Sequence, residues 1–217
     1  MKIQWLGHSC FKLTESTGTT IVTDPYNEYV GFKMEPVEAN VVTVSHKHKD
    51  HCAVENVLGN PTIIDSIGQW EIGGVTITTL LSSHGENSSD GVKQNNIYTY
   101  RMDGIDICHM GDIGEELDIQ LGESIGSVNI LMIPVGGKYT INAEQAKEYV
   151  DFLMPDVVIP MHFKSDNCEF DLDPVDNFID LFEEDQIVYV DGDTAEFDRE
   201  MCDGECTKVY IFKNDKF

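Results

Sequence analysis

Positive charge is scarce in this chain: 14 lysines and arginines stand against 39 aspartates and glutamates, a formal charge of −25 over 217 residues. Such a surface repels phosphate backbones and anionic headgroups, which argues against nucleic acid or a membrane surface as partner. Long apolar runs are missing too. The longest, VNILMIPV at 128–135, is far too short to cross a bilayer, and the opening MKIQWLGHSC lacks the continuous apolar segment of a secretory signal. Cysteine is sparse and scattered, at positions 10, 52, 108, 168, 202 and 206, without the density of a disulfide scaffold. These absences point to a reduced, cytoplasmic protein. Cys202 and Cys206 make a lone C-x3-C in CDGEC; a metal or a disulfide is open to such a pair, but ordinary thiols in an acidic turn are the simpler reading.

What is present suits a packed protein. Apolar residues reach 41%, and no Pro/Gly/Ser-rich linker interrupts residues 1–217, so one domain is expected. Its end is the most acidic part, with 17 acids and 4 bases over 165–217, and is read as an extension from about 185. Short β-type runs fill the first 110 residues, among them KIQWLG, CFKLT, TTIVT, NVVTV, PTIID, VTITTLL, NIYTYRM and IDICHM. Strand and helix then alternate. Asn142 and Gln145 form a capping box ahead of the helix AEQAKEYVDFL. Asp173-Pro174 opens a second helix through VDNFIDLFEE, CAVENVL reads as a short one, and QIVYV and TKVYIF close the chain as strands.

The chemistry concentrates in SHKHKDHC, residues 45–52, where three of the seven histidines and an aspartate follow an apolar strand. His46 and His48 are spaced to share one side of an extended segment, and Asp50 and His51 point elsewhere as the chain turns. Two donor pairs aimed at two neighbouring metals is the economical interpretation, since neutral imidazole and carboxylate suit zinc, manganese or iron. A solvated polar loop is the bland alternative. Three further strand ends supply matching donors: His84 after VTITTLLSS, Asp112 after IDICHMG, and His162 after DVVIPM. NVVTVSH and DVVIPMH also echo each other, each ending a Val-Val strand in a histidine, as though two similar halves faced one pocket.

In this order, H-x-H-x-D-H, a lone histidine, Gly-Asp and a last histidine, the chain resembles the metallo-β-lactamase superfamily. IQWLGHSCFKL, HMGDIG, IPVGGKYTINAEQA and VVIPMHF resemble its compact intracellular branch of ascorbate-phosphate lactonase-like and related metal-dependent hydrolases. The resemblance covers residues 1 to about 165. It implies an α/β fold, a four-layer αββα sandwich, with a dinuclear site where loops of the two sheets meet. By position it implies that His46, His48 and His84 hold one ion, Asp50, His51 and His162 the other, and that Asp112 bridges. It implies that Asp24 supports the first histidines from behind and that His8 and His109 back or line the pocket; a purely structural role for His109 is equally open.

Two divalent ions, zinc first and manganese or iron as alternatives, make hydroxide available near neutral pH. The expected reaction is hydrolysis of a small ester, lactone or phosphodiester, with Asp50 orienting the nucleophile and shuttling its proton. No P-loop and no Ser/His/Asp nucleophile signature competes with this. Lys138, in the Gly-rich turn PVGGKYT, and Lys164, near His162, are the candidates to bind a substrate anion, with the turn's amides as a cradle. Two rivals remain: a di-iron redox protein on the same fold, which resembles H-x-E-x-D-H where this chain has His48, and a metal-binding module without turnover. The expected partner is a small molecule; a homo-oligomer is left open.

Overall fold

Strand β1 (Lys2–Gly7) buries Ile3, Trp5 and Gly7 and leaves the residues between them less covered, the period-two pattern of a sheet packed on one face. The computed structural model describes residues 1–85, 93–202, 204 and 206–213. In chain order β2 (Cys10–Thr14), β3 (Thr20–Thr23), β4 (Val37–Glu38), β5 (Val41–Thr43), β6 (Val57–Leu58), β7 (Thr62–Ile64), β8 (Gln69–Ile72), β9 (Val75–Ser83), β10 (Gln94–Met102) and β11 (Ile105–His109) follow. Helix α1 (Ile119–Ile125), β12 (Ile130–Pro134), α2 (Ala143–Leu153), β13 (Val157–Met161), α3 (Asp176–Ile179), β14 (Ile187–Tyr189), β15 (Thr194–Glu196) and β16 (Lys208–Ile211) complete the order.

Two large sheets result. One runs β15-β1-β2-β3-β5-β7 and the other β14-β16-β13-β12-β11-β10-β9-β8. Ile3, Phe11, Leu13, Ile21 and Val41 of the first pack against Ile77, Tyr98, Tyr100, Ile107, Met132 and Ile159 of the second, forming the central layer of the core. Strands β12 and β13 are buried at every residue because helices cover their other face. There Ala146, Tyr149 and Val150 of α2 and Phe178 of α3 meet Leu131, Ile133 and Val158. The sandwich is the one expected. Its layer outside the first sheet, however, is built from short 3-10 turns at Glu28–Val30 and Val54–Asn56 and the β4–β6 ribbon, packed over Val22, Tyr26 and Val42.

Helix α2 starts where the capping box places it: Asn142 Oδ1 accepts from Gln145 N–H at 2.9 Å, and Gln145 Oε1 from Asn142 N–H at 3.0 Å. Two helix expectations need correction. CAVENVL forms only the 3-10 turn, with the Asn56 amide drawn to the Tyr26 carbonyl instead. The helix expected through VDNFIDLFEE is regular only over Asp176–Ile179. Glu183, Glu184 and Asp185 would crowd the negative end of a longer helix dipole, and Glu183 caps a separate 3-10 turn at Glu184–Gln186. The acidic segment is also no mere extension. It supplies β15, paired with β1, and β14 and β16, which prolong the other sheet beyond β13. Among the described residues no helix is long and apolar enough to cross a membrane.

Candidate metal centre

Each candidate donor lies just past the carboxyl end of a strand: His8 after β1, Asp24 after β3, the histidine loop after β5, His84 after β9, Asp112 after β11 and His162 after β13. β5 and β13, the two strands of the Val-Val echo, stand in different sheets and run parallel to their neighbours, so their ends deliver His46 and His162 to one place from two sides. The local backbone is strained there. His8 (φ 52°), Asp24 (φ 39°) and His162 (φ 53°) adopt the left-handed conformation, which costs a residue with a Cβ about 1–2 kcal/mol. Gly111 precedes Asp112 for a related reason. At φ +56°, a Cβ there would come within 2.3 Å of Asn95 Oδ1 and 2.6 Å of Ser45 Cβ, so only glycine lets the Asp112 loop pass the histidine loop.

Hydrogen bonds fix which ring nitrogen faces inward. Asp24 accepts from Ser45 N–H at 2.7 Å, from Ser45 Oγ–H at 2.6 Å and from His51 Nδ1–H at 2.9 Å. With its proton given to Asp24, Ser45 Oγ accepts from His46 Nδ1–H at 2.9 Å. One carboxylate thereby engages Nδ1 of His51 directly and of His46 through Ser45, leaving each Nε2 turned inward. Ser45 was not among the residues singled out from sequence, although it opens the motif. His109 is saturated: its Nε2–H donates to the Ser9 carbonyl at 2.9 Å and its Nδ1 accepts from Gly111 N–H at 3.2 Å. It ties the His8 loop to the Asp112 loop, and burial holds its pKa below the usual value.

The inward atoms converge. Asp112 Oδ2 lies 3.1 Å from His51 Nε2, 3.2 Å from His162 Nε2, 3.6 Å from His84 Nε2 and 3.8 Å from His46 Nε2. His46, His48 and His84 form one group whose donor atoms all lie within 4.8 Å of one another; Asp50, His51 and His162 form a second, together with His8. His8 Nε2, His51 Nε2, both ring nitrogens of His84, Asp112 Oδ1 and His162 Nδ1 are buried without a hydrogen-bond partner. Buried polar atoms left unpaired cost about 1–3 kcal/mol each, and imidazole and carboxylate donors gathered around one buried carboxylate are what divalent ions accommodate, so the residues present fit metal.

Electrostatics divide the histidines before any cation is bound. Burial, reinforced by His51, lowers the His46 pKa to about 3, and burial with His162 lowers that of His8 to about 4. Both are neutral imidazoles at neutral pH. Burial opposes charge on Asp112 and Asp50, yet His162 and His51 hold the first, and His51 and His8 the second, well below the carboxylate range. Burial likewise opposes charging of His51, and Asp112 and Asp50 overcome it to raise that pKa.

A cavity of about 440 Å³ opens onto the donors, lined by Tyr29, Lys47, His48, Lys49, Asp50, His84, Asp112, Tyr139, His162 and Phe170. Neither lysine expected to bind substrate lines it. The Lys164 ammonium donates to the carbonyls of Cys168 and Phe170, holding the loop that carries Phe170 in place. Lys138 is half exposed, 3.8 Å from Asp171. Within the Gly-rich turn, Gly137 N–H donates to the Ile141 carbonyl, and Thr140 N–H to the Gly137 carbonyl. The cavity's own lysines, Lys47 and Lys49, sit inside the histidine motif, Lys47 paired with Asp65 and Lys49 6.0 Å from the Tyr29 ring centre. Cys202 is half-buried and Cys206 exposed, far along the chain from any of these donors; residues 203 and 205 between them lie outside the described set.

Comparison with known proteins bears on this arrangement. A family profile described as Beta-lactamase superfamily domain matches residues 2–162. A metal-dependent hydrolase of Thermococcus kodakarensis is 30% identical over 197 residues, 76% of this chain and 85% of that one. A solved structure from Thermotoga maritima, assigned to the Zn-dependent hydrolases of the metallo-β-lactamase superfamily, is 38% identical with a TM-score of 0.79, covering 98% of this chain and 99% of that chain. CmlA, a diiron β-hydroxylase from Streptomyces venezuelae, is alike in fold alone, at 16% identity and a TM-score of 0.64 over 98% of this chain and 52% of that one.

Proposed function

Since the chain belongs to the metallo-β-lactamase superfamily and is a metal-dependent hydrolase, we propose that it binds two divalent ions, zinc before manganese or iron, and hydrolyses a small ester, lactone or phosphodiester. The observation that carries this reading is the placement of Asp112: one buried carboxylate oxygen within 3.8 Å of four imidazole nitrogens, with a donor group on either side. His46, His48 and His84 would hold the first ion, and Asp50, His51 and His162 the second, with Asp112 between. When bound, such a pair supplies a hydroxide-like water near neutral pH and polarises the oxygen under attack.

The chain's own residues do the rest. Asp24 and Ser45 keep His46 and His51 in the tautomer that binds metal. Asp50 faces the cavity as an ionised carboxylate, placed to orient the attacking water by accepting a hydrogen bond from it. Tyr29, Tyr139 and Phe170 offer an aromatic wall for an apolar leaving group; Phe170 packs edge-on against the other two at 5.4 and 6.2 Å. Lys49, exposed at the cavity, supplies a local positive charge on a chain of net charge −25, which favours an anionic or carbonyl-rich small molecule over a polymer.

The test is elemental analysis of protein purified without chelator or affinity nickel, followed by a screen of lactones, phosphodiesters and thioesters. About two zinc or manganese per chain with turnover of one class supports the reading. Two iron with an oxygen-sensitive visible band would replace it with redox chemistry. Failure to retain any ion after reloading would remove both and leave a module without turnover.

A further inference from the structure

We infer that His8 is itself a metal ligand: its Nε2 completes the second ion's donor set beside Asp50, His51 and His162. The inference rests on the two-ion reading above and goes beyond it, because by position His8 was expected only to back or line the pocket.

Two simpler roles fail first. His8 is only 3% exposed and does not line the cavity, so it has no access to substrate. Nor is it held by a well-aligned hydrogen bond at the ring tip: the group facing Nε2 is the Asp50 carboxylate, itself a candidate donor to the second ion. His109 shows what a structural histidine looks like in this same region, with both ring nitrogens engaged. His8 differs at the atom that matters.

The distances then identify the partner. His8 Nε2 lies 3.4 Å from Asp50 Oδ2, and His51 Nε2 lies 3.5 Å from the same oxygen. Both separations exceed a normal charge-assisted hydrogen bond. Two donors on one ion with bonds of about 2.0–2.1 Å stand roughly 2.8–3.6 Å apart in four- or five-coordinate geometry, and both separations fall in that range. The His8 and His162 rings stand 4.3 Å apart and tilted by 45°, so they share one space without stacking flat. The backbone is committed as well: His8 keeps its left-handed φ of 52° while its carbonyl accepts from Trp5 Nε1–H at 3.0 Å. Strain of this kind clusters at functional sites, and here it belongs to a buried residue whose Nε2 faces Asp50.

A consequence follows for the pair of ions. With Asp112 shared, the second ion has five protein donors and the first has four, so the two sites are unequal in affinity and the first keeps the readier opening for substrate oxygen.

The experiment compares wild type with His8→Asn, which tolerates the left-handed backbone, and His8→Gln. Each is loaded with Zn²⁺ or Co²⁺, ions per chain are counted, affinities are read by chelator competition, and circular dichroism checks the fold. Expected are two ions in wild type and, in both variants, one ion held as before while the other weakens beyond the ~10–100-fold that loss of an outer hydrogen-bond partner costs, with a changed Co²⁺ ligand-field spectrum. Two ions with wild-type affinities and an unchanged spectrum overturn the role of His8 and leave the two-ion reading standing. A wild type that binds no ion overturns the two-ion reading instead. Should both variants fail to fold, ring ¹⁵N resonances of the unmodified zinc-loaded protein decide: His8 Nε2 at a metal-bound position supports the assignment, and at a free pyridine-like position it ends it.

Discussion

Asp24 accepts a hydrogen bond from Nδ1 of His51 at 2.9 Å, and that bond turns the other nitrogen of the ring toward Asp112. The same carboxylate reaches His46 through Ser45. Burial works against its charge, but His51 holds its pKa below the ordinary value. Asp24→Asn keeps a residue that accepts φ of 39°, and removes the charge and one acceptor. Metal affinity should fall ~10–100-fold for both ions, measured by chelator competition; a loss confined to one ion would refute the shared role of this carboxylate.

Gly136 lies against the strand end that carries His162. A Cβ there would stand 2.0 Å from the His162 carbonyl oxygen and 3.2 Å from Phe163 Cα, and backbone cannot yield as a side chain does. Gly136→Ala should cost about 1–3 kcal/mol of stability, read by urea unfolding, and weaken the ion held by His162 more than the other. Wild-type stability would mean that the turn relaxes freely.

Chelation should destabilise the protein without unfolding it. An ion present at a hundred times its Kd contributes about 2.7 kcal/mol, which for a chain of this size corresponds to roughly 5–10 °C in Tm. Calorimetry with and without chelator checks this, and restoring zinc should restore the melt. An unchanged Tm would contradict the fit between these donors and metal.

His109 gives a pH dependence whose sign can be worked out. Burial depresses its folded pKa below the ordinary 6.5, and protonating Nδ1 would break the bond from Gly111. Below about pH 6.5 the unfolded chain takes up this proton and the folded one does not. Stability is therefore complete above that pH and declines as pH falls toward the folded pKa, by at most about 1.4 kcal/mol per unit from this residue. His109→Gln, which does not titrate, should flatten the difference between urea midpoints at pH 7 and pH 5. An equal slope in both proteins would assign the acid sensitivity elsewhere.

The candidate donors were legible as a set because each sits at a strand end, and period-two runs ending in His or Asp survive in one dimension. So did α2, whose start is written in Asn142 and Gln145. Ser45, Lys47 and Lys49 lay in plain view, yet a serine's partner and a lysine's direction depend on a loop that bends after Thr43. Tyr29, Tyr139 and Phe170 come from three distant segments and meet only through packing, which no local spacing encodes. The pairing of Lys2 with Glu196 is of the same kind. The truncated helix after Pro174 was misread because Phe178 and Phe182 keep a helical spacing that the acids beyond them cannot sustain.

The last candidate donor is His162, but later strands are what hem both sheets: β15 covers the edge of β1, and β16 covers that of β13. A version cut back to residue 162 would keep every candidate donor and expose the edges of β1 and β13 to other copies of itself. The cluster of acids in that later segment then acquires a purpose unrelated to substrate. In the uncut chain the outer strands that result are short, three residues each, and acids stand on or beside them, Glu196 in β15 and Asp185 and Asp191 flanking β14, which is how sheet edges are kept from adding a further strand.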